Sequence, residues 1–390
     1  MVDDILGIKT CDSESLKLNA AINTFINLEK LKLSEKKCHN IHIGKKSKTC
    51  QDLKVHENKM YDSSQQTYLG DKIHKSGRLR PTIDARVAKG YGAVTTILAI
   101  LNDIPLAHWR VEAGLQLRQA MFLNGTLFNS ESWHGITNVE LDIIEKVDEA
   151  LLRGILKAHA KIPREALYLE TGSMPIKYII KSRRINYLHN ILKKDDEELV
   201  KEIYYAQKES PVEGDFCKLV AADMDHVEMN MSENEISNIK KEAFKKIVKK
   251  KVTEAALNKL IQAKENHSKM SQVTYSKLQI QEYLKNPLFE SESMEMLTAL
   301  RTRTVRGIKN DFRGMYSDTE CPLECGNTDT LQHLLDCSVL NQHMSSESIA
   351  KNRLEFQDIY SEGIVKQKQI TQLYIQLMSI RGKLLRNVPV

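Results

Sequence analysis

The chain has 390 residues, enough for two or three domains with a sizeable core. Hydrophobic residues make up 41% and charged residues 28%, which is typical of an ordinary soluble protein and excludes a disordered chain. A net charge of +6 is mild, so it permits nucleic-acid binding without requiring it. The longest apolar stretch, residues 93–101, is too short to cross a bilayer, and no signal peptide is recognisable. The composition predicts neither a membrane protein nor a secreted one.

The first 80 residues predict an incomplete α+β unit. A helix is favoured from Asp12 onwards, followed by a strand that ends near residues 41–43. Residues 45–66 are polar and predict a loop. The stretch from Tyr68 to Ile73, with glycine inside it, predicts a hairpin.

From Pro81 onwards the pattern is helical. Capping boxes at Thr137 and Ser232 each predict the start of a helix, and residues 208–231 between them predict an acidic, irregular linker. Residues 370–384 carry apolar side chains at helical spacing and predict an amphipathic docking helix. Both tryptophans, Trp109 and Trp133, are expected in the core.

Two adjacent carboxylates, Asp3 and Asp4, precede the apolar residues 5–8. Side chains alternate along a strand, so this pair points the same way only in a turn or at a hairpin tip. There the two carboxylates would reach a divalent cation, and paired oxygen ligands suit magnesium-dependent phosphoryl transfer. The same dipeptide is common in exposed turns. The pair alone therefore leaves a catalytic and a structural interpretation open.

Seven cysteines are spread unevenly, and three of them fall with a histidine in the pattern Cys321-x3-Cys325-x7-His333-x3-Cys337. The first two thiolates lie on a turn, and the last two ligands, four residues apart, share one side of a short helix that begins near Thr330. This pattern predicts a structural Zn²⁺ site with no open position, the alternative being unrelated thiols. The other cysteines are scattered, which favours reduced thiols in the nucleus or cytoplasm.

Basic residues form several groups, and rows of lysine and arginine bind phosphates without reading sequence. Arg301, Arg303 and Arg306 adjoin the predicted zinc site, so we expect these three to contact nucleic acid. The lysine-rich stretch 240–251 predicts a helix whose basic face is either solvated or bound to nucleic acid. Residues 181–184 form a further basic group, whose side chains are expected largely on the outer, solvent-facing side of their helix. Aromatic residues are sparse at 6%, so stacking on single strands is not indicated.

Five features occur in the order found in one family of polymerases. Met1-Val2-Asp3-Asp4 resembles the x-x-Asp-Asp palm motif of reverse transcriptases. Residues 31–44 are similar to the helix-to-strand segment that follows this motif in non-LTR (LINE-type) retrotransposons, and Tyr68-Leu69-Gly70 resembles their primer-grip hairpin. Residues 167–172 and the terminal Cys/Cys/His/Cys cluster fit the same family, whose knuckle has a His-to-Cys spacer one residue longer. The resemblance spans residues 1 to about 340.

The resemblance implies the C-terminal portion of a LINE-type reverse transcriptase, an RNA-directed DNA polymerase acting on RNA and DNA as template and primer. In a complete polymerase, Asp3 and Asp4 would ligate Mg²⁺, and Tyr68, Leu69 and Gly70 would help to seat the primer end. The family's first catalytic aspartate, nucleotide pocket and fingers come before this motif, and nothing precedes Met1 here. We therefore expect the chain to be inactive alone. The competing hypothesis is a non-enzymatic, zinc-dependent nucleic-acid-binding module.

Together these features predict an α+β fold, in which a small incomplete palm-like unit is followed by a mostly helical region and a small zinc-knuckle module. The predicted regions are a partial palm with a primer-grip-like hairpin at 1–80, a helical thumb and connector at 81–210, a basic helical region at 211–315, the zinc knuckle at 316–340 and a helical tail at 341–390.

Overall fold

The computed structural model describes residues 8, 12–29, 38–43, 54–55, 58–59, 61–68, 70–267, 270, 272–312, 316, 318–344, 354–361 and 363–387. Within them the chain is mostly helical, with short strands near its beginning. The expected combination of helices and strands is therefore present. No helix among these residues is long and apolar enough to cross a bilayer.

The strands form three two-stranded sheets. The strands are β1 (His39–Asn40), β2 (Lys54–Val55), β3 (Asn58–Lys59), β4 (Tyr61–Asp62), β5 (Gln65–Tyr68) and β6 (Asp71–His74). β1 pairs with β4 in parallel, whereas β2–β3 and β5–β6 are antiparallel. The predicted hairpin is confirmed as β5–β6, but the predicted loop at 45–66 is wrong where it contains β2, β3, β4 and the first two residues of β5.

Helices make up most of the remaining structure. The first eight are α1 (Asp12–Leu28), α2 (Arg80–Asn102), α3 (Ala107–Leu117), α4 (Asn124–Thr126), α5 (Asn138–Leu156), α6 (Arg164–Thr171), α7 (Ile176–Leu192) and α8 (Leu199–Glu209). The next eight are α9 (Phe216–His226), α10 (Glu233–Asn238), α11 (Lys241–Glu265), α12 (Glu282–Lys285), α13 (Ser291–Arg301), α14 (Leu331–Asp336), α15 (Ser338–Gln342) and α16 (Ile364–Asn387). A π-helical turn spans Arg118–Leu123, and 3₁₀ turns span Ser130–Ser132, Lys309–Phe312 and Phe356–Tyr360.

The predicted capping boxes are confirmed, and they explain where two helices begin. The Glu140 amide donates to Thr137 Oγ1 at 3.2 Å, while the Thr137 amide donates to Glu140 Oε2 at 2.9 Å. Ser232 and Glu235 make the same reciprocal contact at the start of α10. Each box satisfies helix-end amides that would otherwise lack a partner.

The main core joins α2, α5 and α6 to the C-terminal helices. Its buried residues run from Ile83 to Leu377, and they include Cys321 and Cys337. α16 contributes three fully or nearly buried side chains at helical spacing, namely Ile370, Leu373 and Leu377. The predicted docking helix is confirmed. The core draws residues from several of the regions predicted from the sequence, whose boundaries stay predictions.

A second core lies between α7, α9 and α11. Phe244, Val248 and Val252 form a fully buried stripe on α11, and Cys217 and Val220 of α9 pack into the same cluster. The prediction of an irregular linker at 208–231 is therefore wrong. The segment is acidic enough to suggest a loop, but the apolar face of α9 is buried, and burial decides its structure.

The two tryptophans have different environments. Trp133 is 2% exposed and belongs to the main core, as predicted. Trp109 is 56% exposed on α3, so the prediction of a core position is wrong for this residue. Residue type predicts average burial, whereas the orientation of α3 decides which of its side chains face outwards.

Candidate metal centre

Four side chains that suit a soft metal ion meet near the C-terminal end of the main core. The ligand atoms of Cys321, Cys325, His333 and Cys337 all lie within 4.8 Å of one another. Cys325 Sγ lies 3.1 Å from His333 Nε2. The sequence pattern therefore corresponds to a real spatial cluster.

A tight loop presents the first two thiols. The Cys321 amide donates to the Asn327 carbonyl at 2.8 Å, and the Glu324 amide donates to the Cys321 carbonyl at 3.0 Å. Glu320 and Thr328 close the loop as an isolated antiparallel bridge. The turn requires left-handed backbone at Gly326, with φ +79°. The loop brings both thiols to one side.

A capped helix presents the histidine. The His333 amide donates to Thr330 Oγ1 at 3.0 Å, so Thr330 is the N-cap of α14, as the sequence predicts. Cys337 is the residue between α14 and α15 and accepts the Asn341 amide at 3.0 Å. The last ligand thus lies at a helix junction, just beyond the short helix on which it was predicted.

The ligand side chains are largely removed from solvent. Cys321, His333 and Cys337 are buried, and Cys325 is half-buried. Burial raises the pKa of the Cys321 thiol to about 12. For Cys325, burial acts in the same direction, but hydrogen bonds from the Asn327 amide and from the other two thiols hold its pKa below the ordinary value. The thiols of Cys321 and Cys325 therefore have pKa values shifted in opposite directions.

The donor set fits a structural zinc ion. Zinc binds cysteine sulfur at about 2.3 Å and histidine nitrogen at about 2.0 Å, which places tetrahedral sulfur ligands about 3.8 Å apart. The observed spread of 4.8 Å needs a contraction of only about 1 Å. Three thiols and one imidazole fill four positions, so the set leaves no protein-ligand position open for substrate. The cluster could hold a metal ion.

Asp329, directly before the N-cap of α14, ties the metal cluster to the tail helix. This fully buried carboxylate accepts Arg381 Nη1 and Nη2 of α16, each at 2.7 Å, and the Lys309 amide at 2.8 Å. Tyr374, also on α16, donates from its hydroxyl to the Leu331 carbonyl at 2.9 Å. α16 therefore clamps the start of the ligand helix.

Sequence reasoning missed Asp329, Arg381 and Tyr374, although one signal was present. Arg381 stands four residues after Leu377, so it continues the apolar stripe of the predicted tail helix. A charged side chain in that position is buried and needs a partner of opposite charge. The pattern indicates that a partner exists, but not which carboxylate it is.

Arg301 does not lie on a nucleic-acid surface, and the prediction for this residue is wrong. Its Nε donates to Glu170 Oε1 at 2.8 Å inside the core, and its side chain is 5% exposed. Tyr275 and Tyr283 donate to the same carboxylate at 2.6 Å and 3.1 Å. Burial acts to lower the pKa of Arg301, whereas the nearby Glu170 carboxylate acts to raise it. The pKa is raised overall, so the arginine stays charged.

The neighbouring arginines differ from Arg301. Arg306 is exposed, whereas Arg303 is half-buried with a left-handed φ of +49°. The positive charge of Arg303 opposes the rise that burial causes in the pKa of Tyr360. Of the three predicted contacts, Arg306 offers the most accessible cation.

The basic side chains on α7 also mostly have partners inside the protein. Arg184 is buried and contacts Asp223 at 2.5 Å, and Lys181 contacts the same aspartate at 2.7 Å. Arg183 donates to the Leu127 carbonyl. The prediction that these side chains lie largely outside is wrong, because α9 supplies a buried carboxylate that faces them.

The hairpin with the predicted primer-grip sequence is firmly anchored. Asp71 of β6 accepts Arg86 Nη2 at 2.6 Å and Asn129 Nδ2 at 3.0 Å. Tyr68 is half-buried and Gly70 is exposed at the turn with φ +86°. Leu69 and the predicted magnesium ligands Asp3 and Asp4 lie outside the described residues.

The segment 167–172 is a structural centre of the main core. Glu170 holds Arg301 and two tyrosines, as above, and Gly172 follows with φ +63°. A Cβ at Gly172 would lie 2.2 Å from the Gln279 carbonyl carbon, so only glycine fits against that backbone. The sequence pattern of this segment thus has a packing explanation.

Comparison with known proteins gives no relative for this chain. No protein-family model, no curated protein and no solved structure matches it.

Proposed function

We propose that Cys321, Cys325, His333 and Cys337 hold one structural Zn²⁺, and that the chain binds nucleic acid as the C-terminal portion of a LINE-type reverse transcriptase. The observation that carries the proposal is the convergence of these four ligand atoms within 4.8 Å. Zinc would bind with the thiols deprotonated and would supply folding free energy on the order of 10 kcal/mol.

The order of motifs supports the polymerase ancestry. A hairpin with an exposed glycine turn occurs where the family has its primer grip, and the Cys/Cys/His/Cys cluster follows a long helical region. Template and primer, RNA and DNA, are the partners proposed on this basis. Mg²⁺ would be held by Asp3 and Asp4 in a complete polymerase.

A non-enzymatic, zinc-dependent nucleic-acid-binding module is the second candidate. It is favoured by the closed donor set, since four protein ligands leave the ion no position for a reacting molecule. In this candidate the zinc ion orders the fold and the basic surface binds phosphates.

Zinc content and nucleic-acid retardation test the shared part of both candidates. We expect about one Zn²⁺ per chain and salt-sensitive binding, with Cys325→Ser losing zinc. Cys217→Ser is the matched control, because Cys217 is a buried thiol outside the cluster that donates to the Gln207 carbonyl. Unchanged zinc content in Cys325→Ser would overturn the metal assignment.

Polymerisation tests the expected inactivity of the isolated chain. The assay uses a primed RNA template with Mg²⁺, and Asp3→Ala and Asp4→Ala serve as variants. We expect no incorporation, which both candidates share; incorporation that disappears in Asp3→Ala or Asp4→Ala would overturn the inactivity and exclude the non-enzymatic module.

A further inference from the structure

One short stretch of this protein is strongly basic. Residues 240–251 contain seven lysines and a single glutamate, Glu242. Their excess equals the net charge of the whole chain, +6. The remainder of the chain therefore carries no net charge.

The structure turns the lysines of this stretch outwards. Phe244 and Val248 lie in the second core, each 0% exposed. Four exposed lysines lie beside or opposite that stripe: a helix advances about 100° per residue, which places Lys246, Lys249 and Lys250 on the far side and Lys245 on its flank. These four exposed side chains, here called the lysine face, are Lys245, Lys246, Lys249 and Lys250.

The lysine face is available to an external anion. Lys245 contacts Glu242 at 2.9 Å, but both side chains are well exposed, and such a pair contributes little. For Lys246, Lys249 and Lys250, the part of the chain that the structure describes places no carboxylate within ion-pair distance. Arg301 and Arg184, by contrast, are neutralised inside the protein.

We propose that the lysine face binds the phosphate backbone of double-stranded nucleic acid. This inference rests on the proposed nucleic-acid binding and names the surface that performs it and the form it prefers. Lysines four residues apart project one helical turn apart along a rigid helix, so they contact successive backbone charges without reading bases.

Two properties of α11 favour a duplex over other anionic partners. Its only aromatic side chain is Phe244, which is buried, so the helix has no platform on which unpaired bases could stack. Its apolar stripe is buried in the second core, mainly against α7, and the exposed Ile247 alone does not make an apolar face that could insert into a membrane. Charge alone remains, and a duplex carries one negative charge per about 1.7 Å of its axis, twice the density of one of its strands.

Fluorescence anisotropy on a short labelled duplex tests the inference. The variant replaces all four lysines of the lysine face with glutamine, an equally good helix former that leaves the buried stripe unchanged. A second variant replaces them with arginine and keeps the charge. The matched control replaces four exposed lysines that are far apart along the chain with glutamine: Lys17, Lys193, Lys218 and Lys383.

The salt dependence gives the expected result. The slope of log affinity against log salt should be shallower by about 3 to 4 in the glutamine variant, at about 0.9 per phosphate contact. Between about 50 and about 200 mM salt, the wild-type chain should lose roughly 100-fold more affinity than this variant. The arginine variant and the scattered control should keep the wild-type slope, and a single strand of equal length should bind more weakly.

Each alternative outcome contradicts the inference in a different way. If the glutamine variant keeps the wild-type slope, nucleic acid binds elsewhere, and the proposed function survives without this surface. If the scattered control loses as much, only total charge matters. If the variant loses binding to anionic lipid vesicles or polyglutamate but not to duplex, the partner is of another class. A wild-type chain that binds no nucleic acid overturns both the proposed function and this inference.

Discussion

Arg381 and Asp329 form a buried ion pair with two hydrogen bonds, each 2.7 Å long, between the tail helix and the residue before the metal-ligand helix. The arginine side chain is 3% exposed and the aspartate is 0% exposed. A charge pair in such surroundings is costly to separate, because the remaining charge has no water to replace its partner.

Arg381→Met should therefore destabilise the protein strongly. Removing one member of a buried pair costs about 3–5 kcal/mol, measured here as the free energy of unfolding in urea. Arg386→Met is the matched control, since Arg386 is exposed five residues further along α16 and, among the residues that the structure describes, donates to a backbone carbonyl, that of Gly382. The double variant Arg381→Met with Asp329→Leu should recover much of the loss. Equal stabilities of Arg381→Met and the control would contradict this view of the pair.

Chelation of the metal should loosen the C-terminal helices first. Cys321 and Cys337 belong to the main core beside α16, whereas Phe244 lies in the second core. After treatment with a zinc chelator, amide hydrogen exchange should accelerate around Tyr374 before it accelerates around Phe244. Re-addition of Zn²⁺ should restore protection. A loss of protection that is uniform along the chain, or no loss, would contradict the expectation.

Gly172→Ala should be among the most damaging single-methyl changes in the chain. The added Cβ would lie 2.2 Å from a backbone carbon, at a φ of +63° that alanine rarely adopts. The expected loss is about 3 kcal/mol or more in the free energy of unfolding. Gly92→Ala is the control: in α2 its Cβ would meet nothing within 4 Å, so it should stabilise by up to about 1 kcal/mol. Similar effects at both glycines would contradict the close approach.

Substitutions of Arg301 and Arg306 should have different effects, the first on stability and the second on nucleic-acid binding. Arg301→Met leaves Glu170 buried without its cation and should cost about 3–5 kcal/mol in thermal or urea unfolding. Arg306→Gln, at an exposed position, should change stability by less than about 0.5 kcal/mol. If Arg306 contacts a phosphate, the slope of log affinity against log salt should be shallower by about 1 in Arg306→Gln than in the wild-type chain. A stable Arg301→Met variant would contradict the buried role of this arginine.

The features that the sequence predicted correctly are those that depend on residues close together along the chain. The box of Thr137 and Glu140, the cap at Thr330 and the apolar spacing of α16 all act within one or two helical turns. The Cys/Cys/His/Cys ligands are similarly close along the chain, so their convergence followed from spacing.

What the sequence could not supply were partners distant along the chain. Arg301 and Arg306 have the same side chain, yet Glu170, 131 residues before Arg301, makes the first one internal. Arg184 is likewise buried only because Asp223 faces it from another helix. A charge pattern predicts that arginines will have anionic partners. Whether the partner is a phosphate or a buried carboxylate is decided by packing.

The position of Arg381 also sets an order for synthesis. It is made 52 residues after Asp329, which at about 5–20 residues per second takes roughly 3–10 s. All four metal ligands lie before Arg381 in the chain, so they are synthesised before the arginine that neutralises Asp329. A nascent chain at that stage carries a complete ligand set and an aspartate that has not yet met its cation. Metal capture can therefore precede closure of the core, and a chain that stops before Arg381 exposes this unfinished end to chaperones and proteases.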